Sequence, residues 1–244
     1  MKSILSLLGV AAALSAGAIS SSAQAEDFKG LNIPGDFSAN VALTTDYVFR
    51  GISQSNEEPT VQGGIDWSHA DTGLYLGIWG SGVDFTDASS EFDLYGGIAG
   101  TVGDISWDLG GIYYHYPGSD DNLNYDFWEL AVAAGYDFGV AQTSLSLNYS
   151  PDYFGASGDS YYLATYATVP LPYDLTLSAH AGHQWIEDNA AFGTPDYTDW
   201  SLGLGYTVEG FDLGLTYNDT DLKEPGECAD GCGARLVFSV SKSF

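Results

Sequence analysis

Four histidines, two cysteines and three acidic runs are the side chains best suited to chemistry in this chain of 244 residues. The histidines are His69, His115, His180 and His183. His69 falls in a turn-like stretch. His180 and His183 lie at odd spacing in one alternating segment, so they point to opposite faces and cannot share a metal ion. Ser178 and His180 share a face, as a nucleophile and its base would. Such a pair needs hydrogen-bond contact, whereas positions i and i+2 of a strand are about 6.5–7 Å apart. No convergent constellation forms. The expectation is a protein that is not an enzyme, holds no resident metal and carries no cofactor.

The acidic runs are Asp120-Asp121-Asn122, Glu187-Asp188-Asn189, and the set Asp219, Asp221, Glu224, Glu227 and Asp230. Oxygen-rich loops can hold calcium or magnesium. None of these matches an EF-hand or a repeat-type spacing, so they read as solvated loops that bridge weakly through divalent cations. Cys228 and Cys232 both lie in the polar loop Lys223–Gly233. A single close pair in an exported chain is expected to form one disulfide. Two free thiols or a metal pair are the alternatives.

Export itself is read from the first residues. Lys2 is followed by the small, apolar Ile4–Ala18, and Ala23-Gln24-Ala25 fits the small-x-small rule for cleavage after Ala25. The apolar run is shorter than the roughly 20 residues of a spanning helix. Residues 1–25 therefore read as a signal peptide, and 26–37 as a polar periplasmic lead-in. A mature chain that enters a membrane must cross it as strands. That mature chain has five basic against 33 acidic residues, a net charge of −28. Such a surface repels phosphates and excludes nucleic acid as a partner. A hydrophobic fraction of 45% and an aromatic fraction of 14% argue against disorder despite the charge.

The elements that must position these residues are strands. Val41, Leu43, Thr45, Tyr47 and Phe49 alternate with Ala42, Thr44, Asp46, Val48 and Arg50, and this period of two continues to Phe244. About twelve strand-like segments follow one another over 38–244, the first taken as Ser38–Gly51. Their connections alternate. Ser53–Pro59, Thr86–Ser90, Pro117–Asn124, Pro151–Asp159, Glu187–Asp196 and Leu222–Gly233 are long and polar, and the ones between them are tight. Long external loops and short periplasmic turns belong to an up-and-down outer-membrane barrel. The expected fold is all-β: a closed antiparallel transmembrane β-barrel of about 12 strands. Apolar faces such as Trp128, Leu130, Val132, Ala134 and Tyr136 end in aromatics, as interfacial girdles do. A secreted β-sandwich also alternates, but it explains neither the loop lengths nor the aromatic ends.

One stretch resembles a known family. Asp46-Tyr47-Val48-Phe49-Arg50-Gly51-Ile52-Ser53-Gln54, with Gln62-Gly63-Gly64 and Val83-Asp84-Phe85 after it, is similar to the start of the TorF-type porin family. The ending Phe238-Ser239-Val240-Ser241-Lys242-Ser243-Phe244 is similar to that family's ending. The resemblance implies a β-barrel pore and carries over no catalytic residues.

On the faces opposite the apolar ones lie Asp46, Asp66, Asp93, Glu129, Asp199 and Asp212, with the only two arginines, Arg50 and Arg235. These eight are the expected pore-lining residues. Arg50 and Arg235 are expected at the external ends of the first and last strands, near each other on one wall, with Glu129 roughly across the lumen; they either leave donors open to a solute or simply pair with nearby carboxylates and brace the seam. The reading is an outer-membrane porin-like channel for small solutes, with a cation preference. The alternatives are a structural or adhesive barrel with a filled lumen and, distantly, an outer-membrane enzyme. Expected partners are outer-membrane lipid, lipopolysaccharide, small solutes, and the barrel-insertion machinery through the C-terminal Phe244.

Overall fold

A computed structural model describes residues 34–244; the expected signal peptide, the expected cleavage after Ala25 and most of the expected lead-in lie outside them. The strands are β1 (Asp36–Thr44), β2 (Val48–Phe49), β3 (Ile52–Ser53), β4 (Thr60–His69), β5 (Leu74–Phe85), β6 (Ala88–Val102) and β7 (Ile105–His115). They continue with β8 (Phe127–Asp137), β9 (Gln142–Ser150), β10 (Ser160–Leu171), β11 (Leu175–Ile186), β12 (Tyr197–Val208), β13 (Phe211–Thr220) and β14 (Arg235–Ser243). A short α-helix, α1 (Asn189–Phe192), lies between β11 and β12, and a single 3-10 turn (Asp121–Leu123) between β7 and β8.

Twelve of these strands form a closed barrel, each antiparallel to its sequence neighbour. The ring closes where β1 pairs with β14, from Asn40 opposite Ser243 to Thr44 opposite Ser239. Ala39 and Phe244 exchange backbone hydrogen bonds at 3.1 and 2.8 Å, so the last residue takes part in the seam. No helix among the described residues is long and apolar enough to cross a membrane. Tight turns join the strands at one end. Glu209 and Gly210, both at positive φ (51° and 76°), connect Val208 to Phe211, the two-residue hairpin whose twist matches the strands it joins.

Alternation sorts the side chains as the sequence predicts. Leu130, Val132, Leu145, Leu147, Leu202, Leu204 and Leu215 are exposed around the middle of the outer surface. Trp128, Tyr113, Trp185, Trp200 and Tyr217 are exposed above them, and Trp107, Tyr136, Phe138, Tyr206 and Phe211 below. An aliphatic band between two aromatic girdles is the exterior of a protein solvated by lipid. Lys242 points outward at the lower rim, its ammonium 4.8 Å from the Phe211 ring centre and 5.6 Å from that of Phe244. There its charge reaches the interface while its stem covers the rings.

Three expectations need correction. The first strand does not run to Gly51; it stops at Thr44, and 45–55 fold inward. Tyr47 and Phe49, expected outside with Val41 and Leu43, are therefore inside: Tyr47 is 1% exposed. The expected loop Thr86–Ser90 shrinks to Thr86 and Asp87, because β5 and β6 continue past a register shift between Gly82 and Phe85. Such a bulge bends the pair and increases its local twist.

The band makes a stability test. Leu202→Arg, at the middle of β12, is expected to lower the free energy of folding into lipid vesicles by about 2–4 kcal/mol. Urea titration of vesicle-refolded protein measures it. A loss below about 1 kcal/mol would mean that this face does not meet hydrocarbon.

Candidate functional site

The inward segment begins where Thr45 donates its N–H to the Phe238 carbonyl at 2.9 Å, the last backbone tie to the barrel wall before the turn inward. The chain then forms a small hairpin in which Val48 pairs with Ser53 and Phe49 with Ile52. Arg50 and Gly51 are its tip, both at positive φ (47° and 80°). Glycine is required at Gly51 twice over. Its φ disfavours a side chain, and a Cβ would lie 2.7 Å from the Asp199 Cβ of β12 and closer still to Thr220 of β13.

Arg50 is 2% exposed. Its Nη2 donates to both Glu129 oxygens, at 2.8 and 2.7 Å, and its Nη1 to Gln184 Oε1 at 2.7 Å. The guanidinium lies over the rings of Tyr162 (4.2 Å to the centroid) and Phe49 (4.7 Å). Glu129 also accepts from Asn148 Nδ2 at 3.0 Å. At the base of the hairpin, Asp46 accepts from Ser53 Oγ (2.7 Å), Ser55 Oγ (3.0 Å) and Arg235 Nη1 (3.3 Å). Arg235 also meets Glu57 at 3.3 Å. The Tyr47 hydroxyl donates to Glu91 Oε1 at 2.7 Å, and Ser53 N–H to the Gly231 carbonyl at 2.7 Å. The hairpin is thus tied to β6, β8, β11 and β14, and to the loop that follows β13.

All eight residues expected at the pore point inward. Asp66 accepts from the Tyr95 hydroxyl. Asp93 is 9% exposed and sits between Trp79 and Tyr114 in the sheet. Asp199 accepts from Tyr162 Oη (2.9 Å) and bonds His180 Nε2 (2.8 Å), and Asp212 accepts from Thr207 Oγ1 at 2.6 Å. The expected arrangement of the arginines fails, however. Arg50 is not on the wall beside Arg235. The hairpin carries it across the lumen to β8, which stands half-way round the ring from β14.

Sequence reasoning missed Glu91, Gln184, Tyr47 and Tyr162. Gly51 was the available signal, since a glycine after Arg50 allows the two-residue turn that the unbroken alternation of Val41–Phe49 conceals. Above the hairpin, Phe85, Tyr116, Tyr125, Phe127, Tyr153 and Phe154 pack ring against ring, with centroids from 4.7 Å (Tyr125 to Phe154) upward. The opposite wall is lined by small residues: Gly203 lies between Ser178 and Thr216, and Gly214 beside Ser239.

The other chemical candidates have structural partners. His180 faces inward, bonded to Asp199 and Tyr162 rather than to Ser178, and His183 bonds Thr198 Oγ1 at 2.8 Å on the outer face. His69 ends β4 with its ring 6.2 Å from that of Trp67. His115 bonds Asp126 at 2.7 Å. Burial pushes the Asp126 carboxyl up, but the Tyr116 N–H, His115 and Tyr113 outweigh it and hold the group below its ordinary value. Asp120 caps Asn122, Asp188 caps α1 through Ala190 and Ala191, and Glu224 accepts from the N–H groups of Cys232 and Gly233. Cys228 and Cys232 are joined as a disulfide. Among the described residues Glu224, Cys228 and Cys232 are the one close group of possible metal ligands, and the disulfide removes both sulfurs from it.

Removing one member of a buried ion pair leaves the other uncompensated. Arg50→Ala is expected to cost about 3–5 kcal/mol, and Arg50→Ala with Glu129→Gln to recover much of it. Equilibrium unfolding of both variants checks this. Equal losses would show that Glu129 is not the partner whose charge matters.

Closed antiparallel barrels with an aliphatic exterior sit in the outer membrane of Gram-negative bacteria, and this chain is such a barrel. No curated protein matches it in sequence. Among solved structures, the NanC porin superposes with a TM-score of 0.56 at 10% identity, covering 84% of this chain and 97% of that one. The KdgM porin, solved in complex with disordered oligogalacturonate, gives a TM-score of 0.57 at 9% identity, covering 85% and 99%. At these identities the likeness is one of fold. Residues 29–244 match the family described as "Bacterial protein of unknown function (Gcw_chp)", and the chain belongs to that family.

Proposed function

We infer that this protein is a porin-like outer-membrane channel of the TorF type for passive diffusion of small solutes, constricted in its outer half by the inward hairpin and preferring cations. The observation that carries this reading is the charge of the lumen. Arg50 and Arg235 are each engaged by carboxylates. Asp66, Glu91, Asp93 and Asp108 also face the lumen, without an arginine or lysine partner among the described residues. Lys223 lies in an external loop, and Lys242 points to lipid. Fixed negative charge around a narrow passage favours cations.

The eight inward residues, Glu91 and Gln184 are read as the lining of the constriction. Oligogalacturonate, the ligand of the KdgM complex, is a polyanion. An acidic lumen whose arginines are both engaged is a poor host for one, so the solutes are read as neutral or cationic. The outer belt would meet lipid and, at its upper rim, lipopolysaccharide. Phe244, with Leu236, Phe238 and Val240 on the same face, is read as the signal for the barrel-insertion machinery. The inward histidine is engaged by Asp199, which supports a channel rather than an enzyme. One observation favours a second reading, a structural or adhesive barrel: the aromatic cluster occupies much of the outer lumen.

Planar-bilayer recording separates the two. The purified wild type is expected to conduct weakly, with a reversal potential of cation sign that shrinks as salt rises and screening shortens the field. Arg50→Ala, which frees the hairpin tip, is expected to raise the conductance. Anion selectivity would defeat the charge argument, and silence in both proteins would leave the filled barrel.

A further inference from the structure

We propose that Asp93 anchors a binding site for one small monovalent cation, an alkali ion or ammonium, inside the barrel. The observation is an imbalance of buried charge. Glu91, Asp93 and Glu129 all project inward, and all are buried, at 1%, 9% and 1% exposure. Glu91 is held by the Tyr47 hydroxyl, and Glu129 by Arg50, Asn148 and Tyr114. Asp93 differs: its Oδ1 is buried and has no hydrogen-bond partner. Glu91 stands two positions away on the same face of β6, about 6.5–7 Å along the strand, so two acidic groups adjoin there. Three carboxylates therefore share one guanidinium, which is bound to Glu129.

A buried carboxylate in that position must acquire a proton or a counter-ion. The surroundings select the counter-ion. The strand register sets Trp79 on one side of Asp93 and Tyr114 on the other, on the same inward face. Tyr47 of the hairpin packs edge-on against Trp79, with ring centroids 5.3 Å apart. Tyr114 is stacked on Phe127, with ring centroids 4.3 Å apart, so the carboxylate is flanked by packed rings, which favours a cation that sheds its water cheaply. A divalent ion needs six or more oxygens or retained waters, and one free carboxylate between rings offers neither. Potassium and ammonium therefore fit better than sodium, calcium or magnesium. The site requires the barrel and the hairpin but not an open pore, so it goes beyond the channel reading.

The test is thermal unfolding of the refolded barrel in detergent, at fixed pH and ionic strength, in potassium, ammonium, sodium or tetramethylammonium chloride. Binding to the folded state alone raises the midpoint, and for a barrel of this size ten-fold saturation corresponds to about 3–6 °C. The expected result is a saturating rise in potassium and ammonium, a smaller one in sodium and none in tetramethylammonium. Asp93→Asn should abolish the rise, and Asp108→Asn, on another part of the inner wall, should keep it. The proposal is overturned by an equal response to all four salts, by a rise that survives Asp93→Asn, or by a wild type that responds to pH alone, which would assign Asp93 a proton. If Asp93→Asn does not refold, the wild-type titration decides: a specific, saturating rise supports the site and a non-saturating one overturns it. Because the readout needs no conduction, a cation-dependent midpoint in a protein that passes no current would keep this site and defeat the channel.

Discussion

Hydrocarbon offers a strand edge nothing to bond with, and each unsatisfied backbone group there costs several kcal/mol. Closing β1 against β14 removes the only two edges that this sheet has. Everything else is conditioned by that closure. Once the ring is shut, every strand has one face in lipid and one in the lumen, so alternation is obligatory along its spanning part. Closure also sets a diameter. A ring of eight strands is filled by its own side chains, and the interior widens with each strand added. A ring of twelve leaves space, and β11 to β14 enlarge it with glycine, serine and threonine at Gly203, Ser178, Thr216, Gly214 and Ser239.

The hairpin enters that space from the seam side and stops on the far wall. Tyr47 and Phe49 pack on Trp79 and Tyr114, while its base and tip are held by polar contacts. A buried ion pair gains little net energy over an apolar isostere. What the Arg50–Glu129 pair contributes is placement. The guanidinium is packed against the rings of Tyr162 and Phe49, and its Nη1 and Nη2 meet Gln184 and Glu129. Few positions of the tip satisfy all of these together. The inward tyrosines act similarly on the walls, donating from Tyr95 to Asp66, from Tyr75 to Asp108 and from Tyr162 to Asp199. Each hydroxyl gives a carboxylate one hydrogen bond without adding positive charge, so the lumen stays acidic.

The sequence makes the barrel legible because lipid enforces a period of two, and that period is visible wherever a strand meets lipid. Trp128 to Phe138, or Trp200 to Val208, can be assigned a face residue by residue. The same rule misleads where the chain leaves the wall. Tyr47 and Phe49 keep the phase of Val41 and Leu43, yet they follow Thr44, where β1 ends, and face the lumen. An apolar side chain turned to lipid and one packed among lumenal aromatics are the same letter in the sequence. The inward orientation of Asp66, Asp93, Glu129, Asp199 and Asp212 was legible for the opposite reason, since a carboxylate on a lipid-facing strand has nowhere else to go. Their partners were not, because Glu91 with Tyr47, or Arg50 with Gln184, meet only after the hairpin crosses the lumen.

The order of charges along the hairpin explains why it crosses in one direction. Asp46 at its base and Arg50 at its tip are four residues apart and opposite in sign. The walls they reach are opposite in sign too: Arg235 on β14 beside the base, and Glu129 on β8 beneath the tip. These strands face each other across the ring, so the segment spans the lumen as a charged strut between complementary ends. Asp46 follows Thr44, the end of β1, by two residues, so connectivity holds the base at the seam and only the tip can be placed differently; a tip turned back along β14 would bring Arg50 towards Arg235, a like-charge contact in a partly desolvated space, where repulsion is screened least. A shifted hairpin would drive the tip into Asp199 and Thr220, which Gly51 already approaches as closely as a residue without a side chain can. Charge therefore disfavours a tip turned back to the seam and sterics exclude the shifted one. The constriction is set as much by what these two alternatives would cost as by the bonds the observed one makes.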